Sequence, residues 1–215
     1  MSEVPDWGIP HPPMSKLELK EPTPGYKALI FDLDGTLVDS MPAHFKAWSL
    51  AFEQQGHPDV FPEDVFYAMG GRPTHDIIAS LNEKHGLTLD ADEVAELKER
   101  AYLEQLDLVE LIPEVAAIAK AHRGKIPIAV ASGGCREVVG MTLQKLNLSD
   151  WFDEVVTATD VKNGKPAPDI FLETALRLGV PPESCVVYED GGAGIISARA
   201  AGMEVIVVPT PLHLV

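Results

Sequence analysis

Cysteine is nearly absent: Cys135 and Cys185 stand far apart and in no paired motif among 215 residues. That excludes a disulfide framework and makes both packing residues. Basic residues are scarce as well, with 17 Lys and Arg against 33 Asp and Glu and a formal net charge of -16. Such a field repels nucleic acid and anionic membrane alike, so neither is an expected partner. No apolar run approaches the length of a membrane span. The chain opens MSEVPDWGIP, without a cationic start leading into an apolar stretch. No secretory signal is expected, and the cytoplasm is the expected compartment. Internal repeats are lacking too, and none of these patterns bears on oligomeric state.

The acidic excess sets a condition on any ligand. An anionic substrate needs strong local cations to overcome the global field, and a divalent metal is the natural one. What is present fits a globular protein, 46% hydrophobic and 23% charged. The length suits one core carrying a smaller inserted module. Residues 1–24 hold Pro5, Pro10, Pro12, Pro13, Pro22 and Pro24 and read as an arm, with Trp7 and Ile9 placed to pin it.

The chain is organised around FDLDGTLVDS, Phe31 to Ser40. A strand over Tyr26 to Phe31 ends abruptly in Asp32 and Asp34, and Gly35 and Thr36 turn the chain. In open α/β sheets ligands sit beyond the carboxyl ends of the strands, so this pair is placed at a site. Helical spacing follows. Phe45, Trp48 and Phe52 form a core stripe, Thr74 to His85 a second helix stopped by Gly86, and Ala91 to Leu106 a third. Residues 41–110 show no strand pattern and read as an inserted helical cap. Residues 25–40 and 111–215 form an α/β core.

Within that core the strands Ile126 to Ala131, Glu154 to Ala158, Cys185 to Tyr188 and Glu204 to Val208 alternate with helices over Arg136 to Leu146, Ile170 to Leu178 and Ile195 to Ala201. The expected fold is a doubly wound parallel sheet of Rossmann type with an inserted α-helical cap.

The polar strand tips converge in such a sheet. Ser132 and Gly133 offer a hydroxyl and backbone N–H groups to an anion ahead of a helix. Lys165 precedes a stiff Pro-Ala-Pro turn. Glu189 and Asp190 are adjacent acids that repel each other unless a cation lies among them. Asp32 and Asp190, with Glu189 directly or through water, supply hard oxygen ligands suited to Mg2+.

FDLDGTLVDS, the Ser132 tip, KPAPD and EDGGAGIISARAAGM occur in order between Lys27 and Val208. Together they resemble the haloacid dehalogenase-like hydrolase superfamily, in its sugar-phosphatase and β-phosphoglucomutase branch. The resemblance implies Asp32 as nucleophile forming an aspartyl phosphate, and Asp34 as acid and then base. It implies Mg2+ on Asp32, the Asp34 carbonyl, Asp190 and Glu189, with Ser132, Gly133 and Lys165 on the phosphoryl group. The second acid, Asp34, favours phosphoester chemistry over dehalogenation or phosphonate cleavage.

Ser40 and His44 match the hinge of the mutase, and His44 and Arg72 are expected substrate residues on the cap, along with Trp48 and His75. Where the mutase grips a second phosphate with a lysine-glycine step and an arginine, an ungapped alignment puts Met69 and Pro73. Gly71-Arg72-Pro73-Thr74 instead looks like the Gly-x-Pro-Thr of fructose-1-phosphate phosphatase relatives. The expectation is a Mg2+-dependent phosphatase acting on a small phosphorylated metabolite such as a sugar phosphate. β-Phosphoglucomutase is the alternative, and a non-catalytic phosphate-binding regulator is the alternative of another class.

Overall fold

The apolar runs that end in polar tips form one five-stranded sheet. In the computed structural model, which describes residues 19–69 and 72–209, the strands are β1 (Ala28–Phe31), β4 (Ile128–Ser132), β5 (Glu154–Thr157), β6 (Cys185–Glu189) and β7 (Glu204–Val207). Their order is β5-β4-β1-β6-β7, and every pairing is parallel. Central β1 is buried along its whole length. Each Leu, Ile or Phe of that run is worth about 1.5–3 kcal/mol in burial, so a charge is tolerated first at the tip, where Asp32 stands.

Helices α5 (Pro113–His122), α6 (Arg136–Lys145), α7 (Asp169–Leu178) and α8 (Gly192–Ala200) complete the alternation. One apolar cluster holds Leu29, Phe31, Val130 and Val186 with Val115, Ala119 and Leu143 of α5 and α6. Another holds Ile30, Ala131 and Val187 with Phe171 of α7 and Ala198 of α8. Successive residues of β1 thus feed opposite clusters, as a sheet covered on both faces requires.

Between β1 and α5 lie α1 (Met41–Gln54), α2 (Glu63–Ala68), α3 (Thr74–His85) and α4 (Ala91–Glu104). Trp48, Phe52, Phe61, Phe66, Ile78 and Val94 give this insertion its own apolar cluster, so the aromatic stripe is core as expected. Gly86 closes α3 in the left-handed conformation at φ 65°.

Several boundaries differ from the sequence reading. A two-stranded antiparallel ribbon, β2 (Val38–Asp39) with β3 (Glu110–Leu111), joins the two ends of the insertion. Two-residue strands carry no readable alternation. Helix α2 was not expected, and α4 stops at Glu104, with Leu106–Leu108 continuing as a 3-10 turn. Helix α8 begins at Gly192, three residues earlier than its apolar pattern suggests. Trp7, Ile9 and Gly71 lie outside the described residues. At the near end of the arm, Thr23 donates to Glu204 from both its backbone N–H and its hydroxyl. No helix among the described residues is long and apolar enough to cross a membrane.

Candidate active site

The tips of β1, β4 and β6 and the loop after β5 meet at one end of the sheet. Lys165 is the hub. Its ammonium donates to Asp32 Oδ1 at 2.5 Å, to Glu189 Oε2 at 2.7 Å and to the Ala131 carbonyl at 3.1 Å. The side chains of Lys165, Asp32 and Glu189 are only 11%, 9% and 4% exposed, so these are buried ion pairs. Burial works against the ammonium, but Asp32 and Glu189 outweigh it and hold Lys165 charged, above its usual range.

One lysine does not balance the acids around it. Carboxylate oxygens of Asp32, Glu189 and Asp190 all lie within 4.8 Å of one another. Burial and then Glu189 push Asp32 well above the ordinary carboxylate range, despite Lys165. The same two causes push Asp190 up to about 7. Three carboxylates against one ammonium leave two negative charges, and an all-oxygen donor set with that charge fits a hard divalent cation such as Mg2+. Glu189 is the least free of the three, since its other oxygen accepts from the Gly191 N–H at 2.9 Å.

Local chemistry explains how the tips hold their shape. Thr36 donates its hydroxyl to Asp190 Oδ1 at 2.7 Å, tying the β1 turn to the β6 tip. Gly35 has φ +86°, and a Cβ there would lie 2.5 Å from Asp190 Oδ2. Gly194 in α8 leaves the space that the Glu189 carboxyl fills, where a Cβ would stand 2.1 Å away. Gly35→Ala is therefore expected to displace Asp190. A shift of this kind costs about 100-fold in kcat, and a kcat within about threefold of wild type, measured beside the thermal midpoint, would contradict the tight fit.

Asp34 is held separately. Ser40 donates to Asp34 Oδ1 at 2.7 Å, and His44 Nε2 lies 3.3 Å from the same oxygen. Ser40 occupies the N-cap of α1 but makes no capping bond there, because its hydroxyl serves Asp34 instead. Burial raises the Asp34 carboxyl, yet His44 and Ser40 bring it down to about 2. His44 is itself lowered by burial and by the Lys98 charge.

The fourth tip is quieter. Ser132 is fully buried, and its hydroxyl accepts from the Gly134 N–H at 3.0 Å, while Gly133 is exposed at the loop. Pairing of Phe31 with Val130 sets Ser132 one residue beyond the level of Asp32. Among the expected cap residues, His44 alone meets the acids. Arg72 donates to Ser80 Oγ at 2.9 Å and to the Asp76 carbonyl, both on α3. His75 pairs with Asp92 on the surface, and Trp48 is buried in the insertion's own core.

Two residues of α4 escaped the sequence reading. Lys98 lies over the Tyr102 ring, 5.7 Å from its centroid, and burial lowers its ammonium. Tyr102 stacks on His44 with centroids 4.2 Å apart. The available signal was a lysine in the apolar register Val94, Lys98, Ala101, Tyr102, where a solvated residue is out of place. Cys135, only half-buried, caps α6 and faces Glu99 of α4 at 3.8 Å, so it is less a packing residue than buried Cys185.

Known proteins resemble the chain over most of its length. The family model for haloacid dehalogenase-like hydrolases matches residues 26–202. The chain is 41% identical over 183 residues to fructose-1-phosphate phosphatase YqaB of Escherichia coli K12, covering 84% of this chain and 95% of that one. It is 36% identical to hexitol phosphatase A of the same organism, covering 86% and 84%. A solved β-phosphoglucomutase from Clostridium difficile superposes with a TM-score of 0.75 at 26% identity, covering 88% and 87%. With the paired acids of β1, the buried lysine and the acidic tip of β6 in one site, the chain belongs to the haloacid dehalogenase-like hydrolases.

Proposed function

We propose that the chain is a Mg2+-dependent phosphoric monoester hydrolase acting on a small phosphorylated sugar, with the helical insertion as a cap over the site. The observation that carries this reading is the division of the acids. Asp32 lies against Lys165 among the metal-ligand candidates, whereas Asp34 is held apart by Ser40 and His44. Nucleophile and proton carrier need such separate environments.

In the first half-reaction a carboxylate oxygen of Asp32 attacks phosphorus, the bond from phosphorus to the sugar oxygen breaks, and Asp34 gives that oxygen a proton. In the second, water attacks phosphorus, Asp34 takes its proton, and the bond to Asp32 breaks to release phosphate. Lys165, the Ser132 hydroxyl and the Gly133 N–H hold the phosphoryl oxygens. Mg2+, held by Asp32, Asp190 and Glu189 with the Asp34 carbonyl, would supply charge neutralisation at those oxygens. With its carboxyl at about 2, Asp34 stands ready as base. Its acid role needs a raised proton affinity, which an arriving phosphate dianion provides.

A phosphatase is favoured over a mutase because Arg72 is engaged on α3, and Met69 and Pro73 bring no charge. Relatives named for fructose 1-phosphate and hexitol phosphates support a sugar substrate. The mutase reading has one observation of its own, the similarity to a β-phosphoglucomutase structure. Incubation with β-glucose 1-phosphate, Mg2+ and a trace of the 1,6-bisphosphate separates the two. Free phosphate is expected; glucose 6-phosphate with little free phosphate would overturn the reading.

The metal assignment makes a stability prediction. Without metal, Asp190 at about 7 binds its proton more tightly folded than unfolded. Its contribution to stability is therefore lost as pH rises through that value. Lowered Asp34 acts in the opposite sense, but only below about pH 4. With chelator the thermal midpoint is expected to fall between about pH 5 and about pH 7.5, and Mg2+ to raise it more at the higher pH. An equal gain at both would contradict a metal on these carboxylates.

A further inference from the structure

Helix α4 belongs to two interiors. Val94 packs in the insertion's cluster, whereas Ala101 and Tyr102 pack with Phe31, Leu33, Leu37, Val139 and Leu143 in the cluster beneath the sheet. Tyr102 is completely buried there. Its hydroxyl lies 3.3 Å from Thr142 Oγ1 on α6. Thr142 already donates its own proton to the Val138 carbonyl at 2.9 Å, so Tyr102 is the donor in that contact. Helix α6 follows directly on the loop that leaves β4 at Ser132 and carries Gly133.

The other side of the Tyr102 ring has a chemical neighbour. It is stacked on the His44 imidazole, with centroids 4.2 Å apart and planes 15° apart. That ring presents Nε2 to Asp34 Oδ1 at 3.3 Å, while its Nδ1 is buried with no hydrogen-bond partner among the described residues. No hydrogen bond to its other nitrogen therefore fixes the imidazole plane. Its plane is set by the Asp34 contact at Nε2 and by the face of Tyr102 stacked against it. Among the described residues both contacts to the Asp34 carboxyl fall on Oδ1, which leaves Oδ2 to meet a leaving group.

We infer that Tyr102 is a positioning residue for Asp34, linking the helix behind the phosphate loop to the proton carrier through Thr142, its own ring and His44. The inference rests on the reading of Asp34 as acid and base. Both stacked rings belong to the insertion, His44 on α1 and Tyr102 on α4, and the Tyr102–Thr142 contact seats the pair on the core beside Asp34. A purely structural tyrosine would instead lower stability and weaken every step alike.

The test compares two substrates in Tyr102→Phe, which keeps the ring and loses the Thr142 bond, and in Tyr102→Leu, which loses the stack. Asp34→Asn is measured alongside. Fructose 1-phosphate has an alcohol leaving group that needs a proton, whereas 4-nitrophenyl phosphate leaves without one. For Tyr102→Phe, kcat on fructose 1-phosphate is expected to fall about 10-fold with KM within about twofold. The pre-steady-state release of 4-nitrophenol is expected to keep its rate and then give way to slow turnover, because the second half-reaction still needs Asp34 as base. Tyr102→Leu deepens the same pattern, and Thr142→Val reproduces that of Tyr102→Phe should the leucine variant fail to fold. Equal losses in the pre-steady-state release of fructose and of 4-nitrophenol in the tyrosine variants, with Asp34→Asn still discriminating between the two, would overturn the positioning role alone. If Asp34→Asn shows no discrimination, the acid-base reading fails and the inference falls with it.

Discussion

Asp32→Asn is expected to abolish turnover, with a loss of at least about 10,000-fold in kcat. The amide keeps the size of the carboxyl but carries no charge for attack on phosphorus. It also relieves a crowded site, since Asp32 is buried against Glu189 and is pushed well above the ordinary carboxylate range. The variant should therefore fold at least as stably as wild type without metal, and still bind inorganic phosphate. Loss of activity with stability retained separates a chemical role from a structural one. Phosphate release unchanged in Asp32→Asn would remove the nucleophile from the account.

Lys165→Met should produce the second-largest effect, on stability as well as rate. The ammonium is the one cation bonded to Asp32 and Glu189 among the described residues, and its removal leaves both carboxylates buried and unbalanced. Breaking one side of a buried ion pair costs about 3–5 kcal/mol. Loss of a charged donor aimed at the phosphoryl oxygens lowers kcat by about 1,000-fold. The stability loss has a sign in pH. Without Lys165 the folded protein holds the Asp32 proton more tightly still, so the deficit should shrink as pH falls towards the unfolded carboxylate range and widen as it rises. Urea unfolding at two pH values measures this, and a deficit independent of pH would contradict the charge argument.

The legible and illegible parts of the protein differ in a physical way. FDLDGTLVDS could be read because an apolar strand and its polar tip are contiguous, and a buried strand leaves a charge nowhere to go except its end. The Lys165 turn could be read for a related reason, as two prolines fix the chain around a cation. What could not be read depends on contacts between distant elements. The β2–β3 ribbon pairs residues far apart in sequence and has no local signature. Gly192 and Gly194 look like loop residues, yet they form the first turn of α8, where Gly194 leaves the space that the Glu189 carboxyl occupies. Lys98 and Tyr102 seemed to sit on an ordinary amphipathic helix. Their meaning comes from His44, on another helix of the insertion, and from Thr142, in the core. Arg72 shows the reverse, since a residue whose motif suggested substrate contact turns back onto α3, the helix that follows it.

The central claim is that phosphate passes through a covalent bond to Asp32. Rapid acid quench of a single turnover with fructose 1-phosphate labelled in its phosphoryl group, followed by peptide mapping, tests it most directly. The account predicts a transient label on the peptide containing Asp32, rising before phosphate appears and decaying as it is released. It also predicts that Asp34→Asn prolongs the label once formed. Phosphate appearing in solution at full rate with no labelled protein at any time, or a label on any other residue, would contradict it.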